Sequence, residues 1–184
     1  MNTAPRAIKT RLLFQDEASF GRISDRRRCW APLPMRPAAI RQIVREYVHT
    51  LAAVCPRDGP LVSRVMPWLD SETTSVFLER AARRFAGEFL VMLLDGAAWH
   101  RANNLRVAPN MKLLPLPPYS PERNPVEHIW NHLRENTFKN TDFDSLDEVV
   151  DTLCARLNSP HESPEIVQSM TCFDWIKPLC MTEN

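Results

Sequence analysis

Glycine is scarce in this chain. Its 184 residues hold only four, and none forms a G-x-G-x-x-G or Walker-type loop, which excludes the usual dinucleotide and phosphate-loop sites. The five cysteines (Cys29, Cys55, Cys154, Cys172, Cys180) are odd in number, scattered, and never spaced as C-x-x-C. Neither a disulfide framework nor a zinc finger is supported. No apolar run approaches the ~20 residues of a membrane span, and Met1 to Thr10 carries no signal-peptide pattern. The expectation is a cytoplasmic protein with no membrane partner.

What remains is ordinary in composition and uneven in charge. With 44 % hydrophobic and 24 % charged residues, the chain suits one domain with a substantial core. The formal net charge is +1, yet residues 1–50 carry ten Lys/Arg against four Asp/Glu, so the rest is net negative. The basic part includes Arg22, Arg26, Arg27, Arg28, Arg36, Arg41 and Arg45. Such a segment suits a phosphate backbone, or is simply a solvated arginine-rich loop.

The first half of the chain has the periodicity of strands. Leu12-Leu13-Phe14 reads as a buried strand ending at Asp16, and Cys29-Trp30-Ala31 as a short second strand. Tyr47 to Val54 and Leu61 to Met66 flank the turn signal Pro56-Arg57-Asp58-Gly59 and make a hairpin. Ser71 to Phe85 then takes helical spacing, with Ser71 or Thr73 as cap and Gly87 as stop. Phe89 to Leu94 is the most apolar run, a strand buried on both faces that ends at Asp95-Gly96. A short helix near His100 to Arg106 and a strand at Met111 to Leu114 follow.

A proline-rich loop from Leu116 to Pro125 then feeds a helix. Asn124 reads as its N-cap and Pro125 as its first residue. Val126, Ile129, Trp130 and Leu133 form its apolar stripe, with Glu127 beside them in the first turn. Ser145 to Glu148 is a capping box ahead of Val149, Val150, Leu153 and Leu157. Ser163-Pro164-Glu165 opens the last helix.

Three acids therefore stand at structured positions: Asp16 and Asp95 at strand ends, and Glu127 at a helix start. In open α/β sheets, sites gather at the carboxyl ends of strands. Close carboxylates repel, and a hard divalent cation relieves that repulsion. Two such ions can hold the attacking and leaving oxygens of a phosphoryl transfer. The plainer alternatives are turn-forming aspartates and a Glu127 that bonds the Asn124 amide.

At these residues the chain resembles a known family. Phe14-Gln15-Asp16-Glu17-Ala18-Ser19-Phe20, Leu94-Asp95-Gly96-Ala97-Ala98-Trp99-His100 and the stretch Leu116 to Trp130 resemble the three signature blocks of mariner-superfamily transposases. The likeness is greatest to the bacterial insertion-sequence branch, and it runs from about Arg11 to about Leu157. It implies an RNase H-like α/β fold, with a mixed five-stranded sheet flanked by helices. It implies Asp16, Asp95 and Glu127 as catalytic, metal-binding acids holding Mg²⁺ or Mn²⁺, two ions in all. His100 matches a histidine that neighbours the site. The function implied is cleavage and strand transfer of DNA at transposon ends and target, by a homodimer at the bacterial nucleoid. Arg22 to Arg28 would touch DNA phosphates.

Two features depart from the family pattern. Glu127 follows Asp95 by fewer positions than is usual. The helix-turn-helix DNA-binding domain that precedes the first catalytic strand in the family is expected to be absent, leaving residues 1–184 as a single catalytic domain. A split reading frame with a separate N-terminal DNA-binding polypeptide, a trimmed chain or a decayed copy would each account for that. The runner-up is a metal-dependent nuclease that does not join strands. The rival from another class is a non-catalytic DNA-binding or assembly remnant. His128 and His132 share a helix face at i, i+4 but lack H-E-x-x-H, and read as surface histidines. Ser19 and Ser120 lack a G-x-S-x-G context.

Overall fold

Apolar residues occupy both phases of the long first strand, so it must be covered on two sides. The computed structural model describes residues 9–24, 28, 30–38, 42–96, 104–117 and 120–181. Five strands form one sheet: β1 (Thr10–Ile23), β2 (Ile43–Val54), β3 (Leu61–Met66), β4 (Phe89–Leu94) and β5 (Met111–Pro115), in the order β3-β2-β1-β4-β5. β1 and β2, and β2 and β3, pair antiparallel. β4 joins β1 in parallel, and β5 joins β4 in parallel. Helix α1 (Ser71–Arg84) makes the crossover from edge strand β3 to β4. Four helices follow the sheet: α2 (Val126–Leu133), α3 (Leu146–Glu162), α4 (Pro164–Thr171) and α5 (Lys177–Met181).

Each face has its own core. Leu13 of β1, Leu51 and Ala53 of β2, and Leu90, Met92 and Leu94 of β4 pack against Phe77, Leu78, Ala81 and Ala82 of α1. The alternate residues Phe14, Ala18 and Phe20 of β1, with Val48, Ala52 and Val54 of β2, pack against Ile129, Trp130, Leu153 and Leu157. Strand β4 is fully buried on the α1 face only; Val91 and Leu93 are half-buried on the other.

The expected mixed sheet between helices is present, with local differences. The first strand does not end at Asp16 but continues seven residues further, to Ile23. Its parallel partner β4 stops early, while the long antiparallel strand β2 keeps pairing it as far as Ile23–Ile43. Trp30 and Ala31 form no strand, and Trp30 is fully exposed; among the described residues nothing pairs that segment into the sheet. The expected helix near His100 falls largely outside the described residues, and 104–106 are not helical. Helix α1 is capped by Asp70 rather than Ser71 or Thr73. Asp70 Oδ1 accepts from the Thr73 amide at 2.7 Å, and the Asp70 amide donates to Thr73 Oγ1 at 2.9 Å. The reciprocal pair satisfies two amides that a helix start leaves unpaired.

Two contacts fix the frame at the end away from Asp95. Buried Arg11 donates to Glu88 at 2.6 Å and to Asp58 at 2.8 Å, tying β1 to the start of β4 and to the β2–β3 turn. In that turn Gly59 has φ +85°, and a Cβ there would lie 1.9 Å from the Pro164 carbonyl oxygen of α4. The turn thus needs glycine both for its left-handed backbone and for close approach. Gly59→Ala is expected to cost at least ~2 kcal/mol through strain and clash. Thermal unfolding followed by circular dichroism should show a melting point at least ~5 °C lower.

Candidate active site

The two sheet cores differ in one respect that matters chemically. On the face covered by α2, the apolar row Phe14, Ala18, Phe20 is interrupted by a carboxylate, Asp16, which is buried. The last parallel pair between β1 and β4 is Phe14–Leu93. Asp16 and Asp95 each lie two residues beyond it, one on a strand that continues and one just past the end of β4. The two aspartates thus leave the paired region at one level. Asp95 is exposed there, one residue past the end of β4.

Helix α2 brings the third acid. Buried Asn124 donates from Nδ2 to the Gln15 carbonyl at 2.9 Å, while its Oδ1 accepts from the Val126 amide at 3.3 Å. One side chain therefore both starts the helix and moors it to β1, beside Asp16. The helix begins one residue later than expected, at Val126, with Pro125 at its N-cap and no side-chain bond there. Glu127 does not cap; it lies half-buried, close enough for its charge to act on Asp16. One turn on, Trp130 donates its indole N–H to Asp16 Oδ2 at 2.9 Å, in the buried interior.

These surroundings oppose ionisation of Asp16. Burial first, then the charges of Glu127 and Glu17, push its carboxyl up to about 8. The Trp130 bond acts the other way but does not offset them. Such a shift through desolvation and like charge is typical of functional carboxylates. The donor set is oxygen only and hard, which fits Mg²⁺ or Mn²⁺. Asp16, Glu127 and Asp95 could hold such an ion. Among the described residues, however, no three acids already stand close enough to enclose one.

Other expected residues have different positions. His100 and Trp99 lie outside the described residues. His128 and His132 do not converge: both are exposed, His128 stacking on Phe173 at 4.7 Å and His132 bonding Asn136. Arg22 is not a free cation for phosphate. It donates to the Phe143 carbonyl at 3.0 Å and to Glu46 at 2.9 Å, and so pins the β1–β2 arm to the segment before α3. Arg26 and Arg27 lie outside the described residues; Arg28 is exposed. Sequence gives Asn124 as the start of the helix but neither its bond to Gln15 nor the Trp130 bond to Asp16. A signal existed for Trp130, because a tryptophan in a buried stripe needs an acceptor for its N–H.

Comparison with known proteins gives the family and the fold. The family described as DDE superfamily endonuclease matches residues 11–150. The protein y4pE/y4sA of Sinorhizobium fredii is 35 % identical over 130 residues, covering 70 % of this chain and 96 % of that protein. Among solved structures, the Mos1 mariner paired-end complex with Mn aligns over 88 % of this chain and 56 % of that one, at TM-score 0.60 and 17 % identity. The Mos1 paired-end complex with Mg aligns over 88 % and 55 %, at TM-score 0.56 and 19 % identity. The Mos1 strand transfer complex aligns over 88 % and 54 %, at TM-score 0.58 and 16 % identity. This chain spans about half the length of those solved chains, and at such identities the likeness is one of fold. With residues 11–150 matched by the family, and with a fold that aligns on Mos1 transposase, the chain belongs to the DDE superfamily endonucleases and has an RNase H-like fold.

Proposed function

We propose that this domain cuts DNA phosphodiesters and transfers the cut strand, as the catalytic domain of a mariner-type transposase. Asp16, Asp95 and Glu127 would be its metal-binding acids. The observation that carries the reading is the buried, Trp130-held Asp16 with the charge of Glu127 upon it, level with Asp95 at the end of β4. Burying one carboxylate beside another costs stability and has no packing benefit. A site that binds divalent cations and phosphate explains why both are there. The Mos1 complexes solved with Mn and with Mg support that choice of ion.

The chain's own groups divide the work. Trp130 holds Asp16 through its Oδ2. Asn124 holds the start of α2 to β1, so that Glu127 approaches Asp16 along a defined line. Asp95, exposed past β4, is placed to meet the substrate side. A pair of Mg²⁺ or Mn²⁺ ions bound by these acids would supply the positive charge that activates the attacking oxygen and steadies the leaving one. In transposition the attacking oxygen is that of water for cleavage and a DNA 3′-hydroxyl for joining. A homodimer on paired DNA ends is part of the same reading, as is DNA at both transposon end and target.

Asp95→Ala tests the catalytic reading, since Asp95 is exposed and its loss leaves both cores intact. Cleavage of a DNA duplex with Mg²⁺ or Mn²⁺ should fall by more than ~100-fold, the upper range for losing a mere outer-shell partner. The circular dichroism melting curve should not change. Equal DNA binding with no cleavage by either form would favour a non-catalytic remnant. Cleavage without strand joining in the parent would favour a simple nuclease.

Asp16 should also show itself in stability. Its folded carboxyl keeps a proton up to pH about 8, against an ordinary value of 3.8. Between these values the unfolded chain binds fewer protons than the folded one, so stability falls as pH rises. In EDTA the melting point should fall from pH 4 to 8. Asp16→Asn should flatten that fall, raise the melting point at pH 8 by at least ~5 °C, and abolish cleavage. A variant less stable than its parent at pH 8 would show that the carboxylate is not the strained group.

A further inference from the structure

The basic segment expected near Arg22 is partly tied up in structural bonds, but a second group of arginines is not. Edge strand β3 has α1 on one side and α3 on the other. A cavity of about 400 Å³ lies between β3 and α1, lined by Arg64, Arg80, Arg83 and Arg84 with Glu79. A second, of about 470 Å³, lies between β3 and α3, and it shares Arg64 and Arg80. The two therefore adjoin along the open edge of the sheet.

The charge there is one-sided. Four arginines face one glutamate, although the chain beyond residue 50 carries net negative charge. Arg83 is paired with Glu79, and Arg84 leans on Phe85 at 5.9 Å. Arg64 and Arg80 are exposed, and neither guanidinium has a partner among the described residues. Like charges held together without partners repel, and an anion removes that cost. Arginine in particular suits phosphate, which its planar fork meets with two parallel bonds.

The sheet register places this groove in relation to the acids. Asp16 pairs with Ala52 of β2, and Ala52 with Ser63 of β3, the neighbour of Arg64. At ~4.8 Å per strand, Arg64 lies about 10 Å across the sheet from the strand of Asp16. Arg64 pairs with Leu51, which packs under α1, so its side chain stands on the α1 face, opposite the face that holds Asp16.

We propose that the groove along β3, with Arg64 and Arg80 as its free cations, is a second DNA phosphate-backbone site, separate from the acids and indifferent to sequence. This rests on DNA being the substrate. It adds a contact with the DNA backbone at the β3 edge, on the face of the sheet opposite Asp16.

The experiment is fluorescence-anisotropy titration of the full chain with a 30-base-pair duplex of arbitrary sequence in Ca²⁺, repeated over a salt series. Arg64→Gln/Arg80→Gln should bind at least ~10-fold more weakly at low salt. Its salt slope should be smaller by about 2, the value for two lost phosphate contacts. The charge-matched control Arg156→Gln/Lys177→Gln, at exposed residues that line neither cavity, should keep the parent slope, and both variants should keep the parent melting point. A parent that binds DNA with the same slope as Arg64→Gln/Arg80→Gln would overturn the groove and leave the proposed function intact. A parent that neither binds nor cuts DNA would overturn both. Loss of poly-glutamate binding in that variant, with DNA binding unchanged, would overturn it in favour of an acidic protein partner.

Discussion

The hydrogen bond from the Trp130 indole to Asp16 Oδ2 joins the two halves of this fold. Trp130 is almost fully buried, and its N–H needs an acceptor. Asp16 is also buried, and a carboxylate there is costly without a donor. Each group answers the other's requirement, and in doing so sets α2 on β1 in one register. The Asn124–Gln15 bond repeats the tie six residues earlier, just before the helix. The approach of Glu127 follows from these two bonds, because it lies between their donors on the same helix.

The remainder of the architecture makes that junction possible. A strand that is apolar on both phases must sit inside a sheet covered on two faces, and β1 is so placed between β2 and β4. The unequal length of its neighbours matters as much. β2 follows β1 nearly to its end, whereas the parallel pairing with β4 stops at Phe14. The gap opens beside Asp16 and in front of Asp95. An acid that belonged to an ordinary strand end would be solvated and unremarkable; one in mid-strand, buried, and beside the end of β4 is strained and accessible at once. In the proposed function, stability would be given up where the chemistry needs it, as is common at functional sites.

Basic surface is distributed in the same functional sense. Arg22 and Arg11 carry positive charge but use it internally, one against Phe143 and Glu46, the other against Glu88 and Asp58. Their charge cannot be counted toward a polyanion. Arg64 and Arg80 on the β3 edge can be, because nothing in the described structure uses them. Composition alone does not separate these two kinds of arginine.

Much of this was legible in residue order. Phe89 to Leu94 had to be an inner strand, since six consecutive apolar residues cannot face water. The prolines after Leu116 and the stripe Val126, Ile129, Trp130, Leu133 had to make a rigid loop and a packed helix. The three acid blocks were recognisable as a family signature, and the family match bears that resemblance out. These are local facts: period, turn chemistry and motif are written in neighbouring residues. The length of β1, the mooring of Asn124 to Gln15, the partner of Trp130 and the internal use of Arg22 were not legible. Each depends on a residue far along the chain, the Trp130–Asp16 pair being separated by 114 positions. Side-chain pairing across such distances is decided when strand lengths and helix packing are settled together. Local sequence therefore determined which acids were present and on which elements. Tertiary structure alone decided that Asp16 would be buried, held and set against Glu127.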